Sequence, residues 1–93
     1  MLNIIQNINA VHAYLEGMLW AAYGVKLIGG FVSEWQIDVV KKYAKKLKEE
    51  EIDHSSLTPA EKENQKNQLE QWFEATAQGL KDELRREGRL LQN

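Results

Sequence analysis

The side chains that could take part in chemistry are few and scattered. His12 and Glu16 lie one helical turn apart, a spacing that turns an imidazole and a carboxylate to the same side and offers two metal ligands. A closed metal site needs three or four ligands, so the pair does not make one. The run Asp53-His54-Ser55-Ser56 contains the side-chain types of a hydrolytic triad. Neighbours in one short loop cannot adopt the fixed orientation between nucleophile, base and orienter that catalysis requires, and loop formation and helix capping account for them instead. The chain has no cysteine, which excludes disulfides, thiolate metal sites and cysteine nucleophiles and leaves the redox compartment open. With no glycine-rich phosphate loop and no strand to carry an acidic pair, the sequence reads as that of a non-enzyme with no metal and no cofactor.

Cations offer a different chemistry. Residues 41–48 include Lys41, Lys42, Lys45, Lys46 and Lys48, a density that suggests a nucleic-acid patch. Tyr43 and Leu47 within that run fall on an apolar stripe, and Glu49, Glu50 and Glu51 follow at once, so a solvated helix face is the better reading. Arg85, Arg86 and Arg89 form a smaller cluster amid Asp82, Glu83 and Glu87. The net charge of −2 is too balanced to imply a phosphate backbone or an anionic membrane as partner. No nucleic-acid or membrane partner is expected.

The elements that must position these residues are helices. At 93 residues, 43% hydrophobic and 28% charged, the chain fits one small globular domain over residues 1–93. The first helix is predicted over residues 3–28, where Ile4, Ile8, Val11, Leu15, Met18, Ala22 and Val25 recur at steps of three and four. Ile5, Leu19 and Tyr23 widen that face. Gly29-Gly30 ends the helix and Lys26 suits its last turn. The second helix is predicted over residues 33–50, with Ser33 as N-cap and Glu34 behind it. Its stripe is Val32, Trp35, Val39, Val40, Tyr43 and Leu47, with Asp38, Lys41, Lys42, Lys45 and Lys48 opposite. Asp38 and Lys42 stand in the favourable order for an ion pair within the helix. The glutamates 49–51 oppose the helix dipole, which predicts fraying and a loop over residues 53–57.

The third helix, residues 59–90, has the clearest start signal. Thr58 is the N-cap, Pro59 occupies the first helical position and Glu61 completes a capping box. Its first ten residues hold no large apolar side chain; the stripe begins with Leu69, Trp72 and Phe73 and continues through Thr76, Leu80 and Leu84. Gly79 and Gly88 each weaken the helix by roughly 1 kcal/mol, which predicts a fraying tail. A helix of this length spans about 50 Å, against a radius of gyration of about 12 Å for a compact domain of this size. It must break near Gly79, project, or lie along the outside. The fold class is all-α: about three helices in an antiparallel, elongated bundle, completed by oligomerisation.

That last expectation rests on a second stripe. Ala10, Gly17 and Gly24 recur at seven-residue steps, with Ala13, Trp20 and Ala21 beside them, opposite the large apolar face. Mid-helix glycine costs stability, and close approach of another backbone is a reason to keep it. Trp35 and Trp72 sit on apolar stripes and read as core, whereas Trp20 reads as an interface anchor. The function that follows is a cytoplasmic protein–protein interaction module (an assembly factor, adaptor or inhibitor) that associates with itself, with another protein or with both. The first alternative is a membrane-active helical protein, lytic or pore-forming, that uses residues 10–32. His12, Glu16 and Lys26 make that segment a poor span. A weaker alternative is nucleic-acid binding through residues 41–48.

Overall fold

The structure is a computed structural model and describes residues 8–23 and 30–91. Its elements are α1 (Ile8–Tyr23), β1 (Val32–Ser33), α2 (Glu34–Asp53), α3 (Pro59–Arg86) and β2 (Leu90–Leu91). The three helices match the all-α reading. The expectations for Ile4, Ile5, Gly24, Val25, Lys26 and Gly29 lie outside the described residues.

α2 and α3 form an antiparallel hairpin, and side chains mark its register. Lys81 reaches Asp38 at 2.6 Å, Lys41 reaches Glu74 at 2.8 Å, Lys45 reaches Glu70 at 3.4 Å and Lys66 reaches Asp53 at 2.5 Å. The lysines on residues 41–48 are thus not one solvated face. Lys41, Lys45 and Lys48 turn inward along helix boundaries, and only Lys42 and Lys46 remain exposed. Asp38 pairs with Lys81 of α3 rather than with Lys42 of its own helix.

α1 lies against both partners. Its Tyr14 ring meets Phe73 of α3 edge-on at 6.4 Å, and Lys48 of α2 sits 4.9 Å over the same ring. Tyr23 meets Trp35 near the start of α2, so α1 and α2 run antiparallel. The core is built by Val11, Leu15 and Leu19 of α1, Ile37, Val40, Ala44 and Ile52 of α2, and Leu69, Phe73, Ala77, Leu80 and Leu84 of α3. On α3 the sequence stripe holds closely, with Trp72 partly buried at its edge. On α2 it does not. Trp35, Val39 and Tyr43 are exposed, and the buried stripe is Ile37–Val40–Ala44, about a third of a turn away.

The ends of α2 and α3 have identifiable causes. Thr58 Oγ1 accepts the Glu61 N–H at 3.2 Å while Glu61 Oε1 accepts the Thr58 N–H at 3.0 Å, so the capping box forms as expected. At α2 the side chain behind the Ser33 cap is Gln36, whose Oε1 accepts the Ser33 N–H at 2.9 Å; the sequence reading had looked to Glu34. The far end of α2 continues through the glutamates to Asp53 because cations arrive from α3. Lys62 donates to the Asp53 carbonyl at 2.9 Å, and Lys66 holds the Asp53 carboxylate. α3 runs unbroken through Gly79. The tail beyond it does not simply fray. Gly88 takes the left-handed conformation (φ 70°), its N–H bonds the Arg85 carbonyl at 3.1 Å, and the Arg89 N–H bonds the Leu84 carbonyl at 2.8 Å. That is a Schellman cap, in which glycine is favoured rather than costly.

The cap redirects the chain into a feature the sequence reading did not anticipate, a two-residue parallel pairing of β2 with β1. Val32 stands opposite Leu90, the Val32 N–H donates to the Arg89 carbonyl at 3.0 Å, and Arg89 Nε donates to the Gly30 carbonyl at 2.7 Å. The expectation of no strand is therefore corrected at this one clasp. It closes the molecule where α2 begins and α3 ends. The whole measures 44 × 21 × 21 Å with a radius of gyration of 14.1 Å. α3, at 28 residues, spans about 42 Å and sets that long axis. Its polar first turns lie along the end of α2 instead of projecting.

Candidate functional site

The residues first singled out for chemistry are occupied with structural tasks. His12 Nδ1 and Glu16 Oε1 approach to 2.6 Å on an open face of α1, a contact of small energetic weight at such exposure. Among the described residues no third His, Asp or Glu gathers with them to hold a metal ion. In the loop after α2, His54 Nδ1 lies 2.8 Å from the Glu50 carbonyl and Ser55 Oγ donates to the Ile52 carbonyl at 2.5 Å. Both side chains cap the open carbonyls of α2, and they point to those carbonyls rather than to one another. Of the arginines, Arg85 pairs with Asp82 at 3.0 Å and Arg89 with Glu87 at 2.7 Å, leaving Arg86 on the surface.

Two exposed surfaces among the described residues are apolar. Ala10, Ala13, Gly17, Trp20 and Ala21 are all exposed along the outer face of α1, away from its buried Val11, Leu15 and Leu19. Among the described residues, a methyl group built on Gly17 would meet nothing within 4 Å beyond its own helix backbone. Gly24, the last member of the stripe, lies outside the described residues. Trp20 is 60% exposed.

A second open surface starts at Ala21 and was not foreseen. Between α1 and α2 lies an open groove of about 290 Å³, lined by Met18, Ala21, Ala22 and Tyr23 on one side and Val39, Val40 and Tyr43 on the other. Trp35 extends it through its edge-on contact with Tyr23, at 5.8 Å between ring centroids. Val39 is 50%, Tyr43 56% and Trp35 48% exposed. Trp35, expected in the core, is thus a surface residue. The signal that could have found the groove was present. α2 carries two apolar stripes, Ile37–Val40–Ala44 and Trp35–Val39–Tyr43, and a single small bundle can bury only one of them.

The electrostatics around these surfaces are uneven. Burial, reinforced by the charge of Glu51 and then by Tyr43, pushes the Tyr14 phenol above its ordinary range. A hydrogen bond from Lys66 holds the Asp53 carboxyl below the usual carboxylate range, and one from Lys41 does the same for Glu74. The groove side of α2 has no such pairing: Lys42 and Lys46 are exposed with no ion-pair partner among the described residues. Comparison of the chain with protein-family models, with curated proteins and with solved structures finds no match.

Proposed function

We propose that this chain is a non-enzymatic protein–protein interaction module that self-associates through the outer face of α1. The observation that carries the reading is the open glycine beside the open tryptophan. Gly17 has room for a side chain, and the helix around it would be firmer with one. Packing among the described residues therefore gives no reason for glycine at this position, whereas a second backbone lying across the face does. Trp20, 60% exposed on that face, is a large anchor of the kind that dominates interfaces.

The test is molar mass by light scattering across a concentration series. Trp20→Ala should lower the mass while leaving helix content and melting midpoint near those of the parent, because the ring contributes little to the core. An unchanged mass would remove the reading. The membrane-active alternative draws on residues 10–32; among the described residues no helix is long and apolar enough to cross a bilayer. Flotation with liposomes at physiological salt separates the two readings. Nucleic-acid binding through residues 41–48 has only Lys42 and Lys46 to work with, since Lys41, Lys45 and Lys48 engage Glu74, Glu70 and Glu51.

A further inference from the structure

We propose that the groove between α1 and α2 is a docking site for an acidic amphipathic helix of another protein, separate in its contacts from the self-associating face it borders at Ala21. Shape comes first. Trp35, Val39 and Tyr43 follow one another at four-residue steps, so the exposed apolar material forms a line of about 12 Å along the helix axis rather than a round patch. A line between two antiparallel helices suits a third helix laid into it, with anchors about one turn apart. Met18 and Tyr23 on the α1 wall give the groove depth and, through the methionine, an adaptable surface.

Charge then selects the occupant. Lys42 and Lys46 each follow an apolar residue of the line, Val39 and Tyr43, by three residues, so they edge it on the helix surface. The other described lysines are engaged: Lys41, Lys45, Lys48, Lys66 and Lys81 meet carboxylates, and Lys62 meets the Asp53 carbonyl. The two without partners stand together beside the groove, where they favour a ligand with carboxylates flanking its apolar stripe.

A second copy of this chain is a poor match for that description. The outer face of α1 (Ala10, Ala13, Gly17, Trp20 and Ala21) has one acid at its margin, Glu16, and that carboxylate already meets His12 at 2.6 Å. α3 has exposed acids at Glu63, Glu70 and Glu74, but none of the exposed large hydrophobic residues is on it. α2 would bring its own lysines against themselves. The occupant is therefore a helix from a different protein, with two or three large apolar side chains on one face and Asp or Glu at its margins.

Two synthetic peptides test this with the intact chain. Each presents leucines at i, i+3, i+4 and i+7, one flanked by glutamates and the other by lysines, and binding is followed by fluorescence anisotropy of a label on the peptide. The glutamate peptide should bind at least about tenfold more tightly than the lysine peptide, and the gap should narrow as salt rises. The double variant Lys42→Glu, Lys46→Glu should reverse the preference. Val39→Asp should abolish binding, and because the lysine variants alter only exposed positions, they remain informative if Val39→Asp unfolds. Equal binding of both peptides, or binding of neither, would overturn the proposal. So would vesicles containing phosphatidylserine that bind the chain through Lys42 and Lys46 when the peptide does not, which would assign the face to a membrane. A Val39→Asp variant that loses mass in solution, with no peptide bound by the parent, would assign the groove to a second copy. Loss of self-association in Trp20→Ala with peptide binding intact would leave the proposal standing.

Discussion

Thr58 and Thr76 show how far a single residue can be understood from its neighbours in sequence. Thr58 is legible outright, since Thr-Pro-Ala-Glu specifies its capping box by spacing alone, and both halves of the box form. Thr58→Ala should lower stability by about 1 kcal/mol, the usual cost of losing an N-cap oxygen, read as a shift in the urea midpoint at unchanged slope. Thr76 is legible only as a member of the α3 stripe. The structure adds that its Oγ1 is buried without a hydrogen-bond partner among the described residues. Thr76→Val keeps the shape and removes the orphaned hydroxyl, so it should raise stability by about 1 kcal/mol. A loss of stability would show that the hydroxyl is satisfied. Gly88 was the hardest residue to read locally. Counted as a helix-interior glycine it is a penalty, whereas as the residue after the last turn it supplies the left-handed cap. The difference depends on where the helix stops, which spacing does not fix.

Among the elements, α2 was the least legible, and the reason is physical. Periodicity identifies an apolar face but does not rank two of them, and aromatic bulk drew the choice toward Trp35 and Tyr43. The decisive feature is the pattern of charges meeting α3. Lys41, Lys45 and Asp38 need partners on the facing helix, and they border Ile37 and Ala44. The end of α2 has the same cause, since its last residue, Asp53, is held from α3 by Lys62 at the carbonyl and Lys66 at the carboxylate. These cross-helix contacts carry a pH dependence whose sign is fixed. Asp53 and Glu74 have folded pKa values held below their ordinary 3.8 and 4.5. Their stabilisation is present above those ordinary values and is lost as pH falls through the depressed ones. The midpoint of urea unfolding should therefore be nearly level above about pH 5 and decline below about pH 4. In the double variant Asp53→Asn, Glu74→Gln, the neutral-pH midpoint should drop modestly, as expected for exposed pairs, and the acid slope should flatten. An acid slope identical to the parent's would show that these bridges do not act on stability.

At the scale of the whole molecule, three helices with a clasp at one end leave two adjoining apolar surfaces exposed among the described residues, and the same shortage of partners explains both. A hairpin of α2 and α3 can bury only one face of α1, and a single covering helix can bury only one of the stripes on α2. Of these surfaces the sequence revealed the small-residue face of α1, because glycine in mid-helix demands a reason, and concealed the groove, because aromatics at helical spacing look like core. Gly17→Leu puts the first of them at risk. The substitution adds a side chain where nothing among the described residues lies within 4 Å beyond the helix's own backbone, so it should fit the single chain without strain. It also raises helix propensity by several tenths of a kcal/mol or more. Considered alone, the chain should become somewhat more stable. If a second backbone lies across that face, the added bulk holds it away, and the molar mass by light scattering should fall while the melting midpoint at low concentration rises. Local propensity and quaternary packing thus pull in opposite directions in one variant. A rise in stability with no change in mass would show the face to be plain surface. Gross unfolding would mean that Gly17 is packed within the chain, against the open space seen around it, and self-association through α1 would lose its basis.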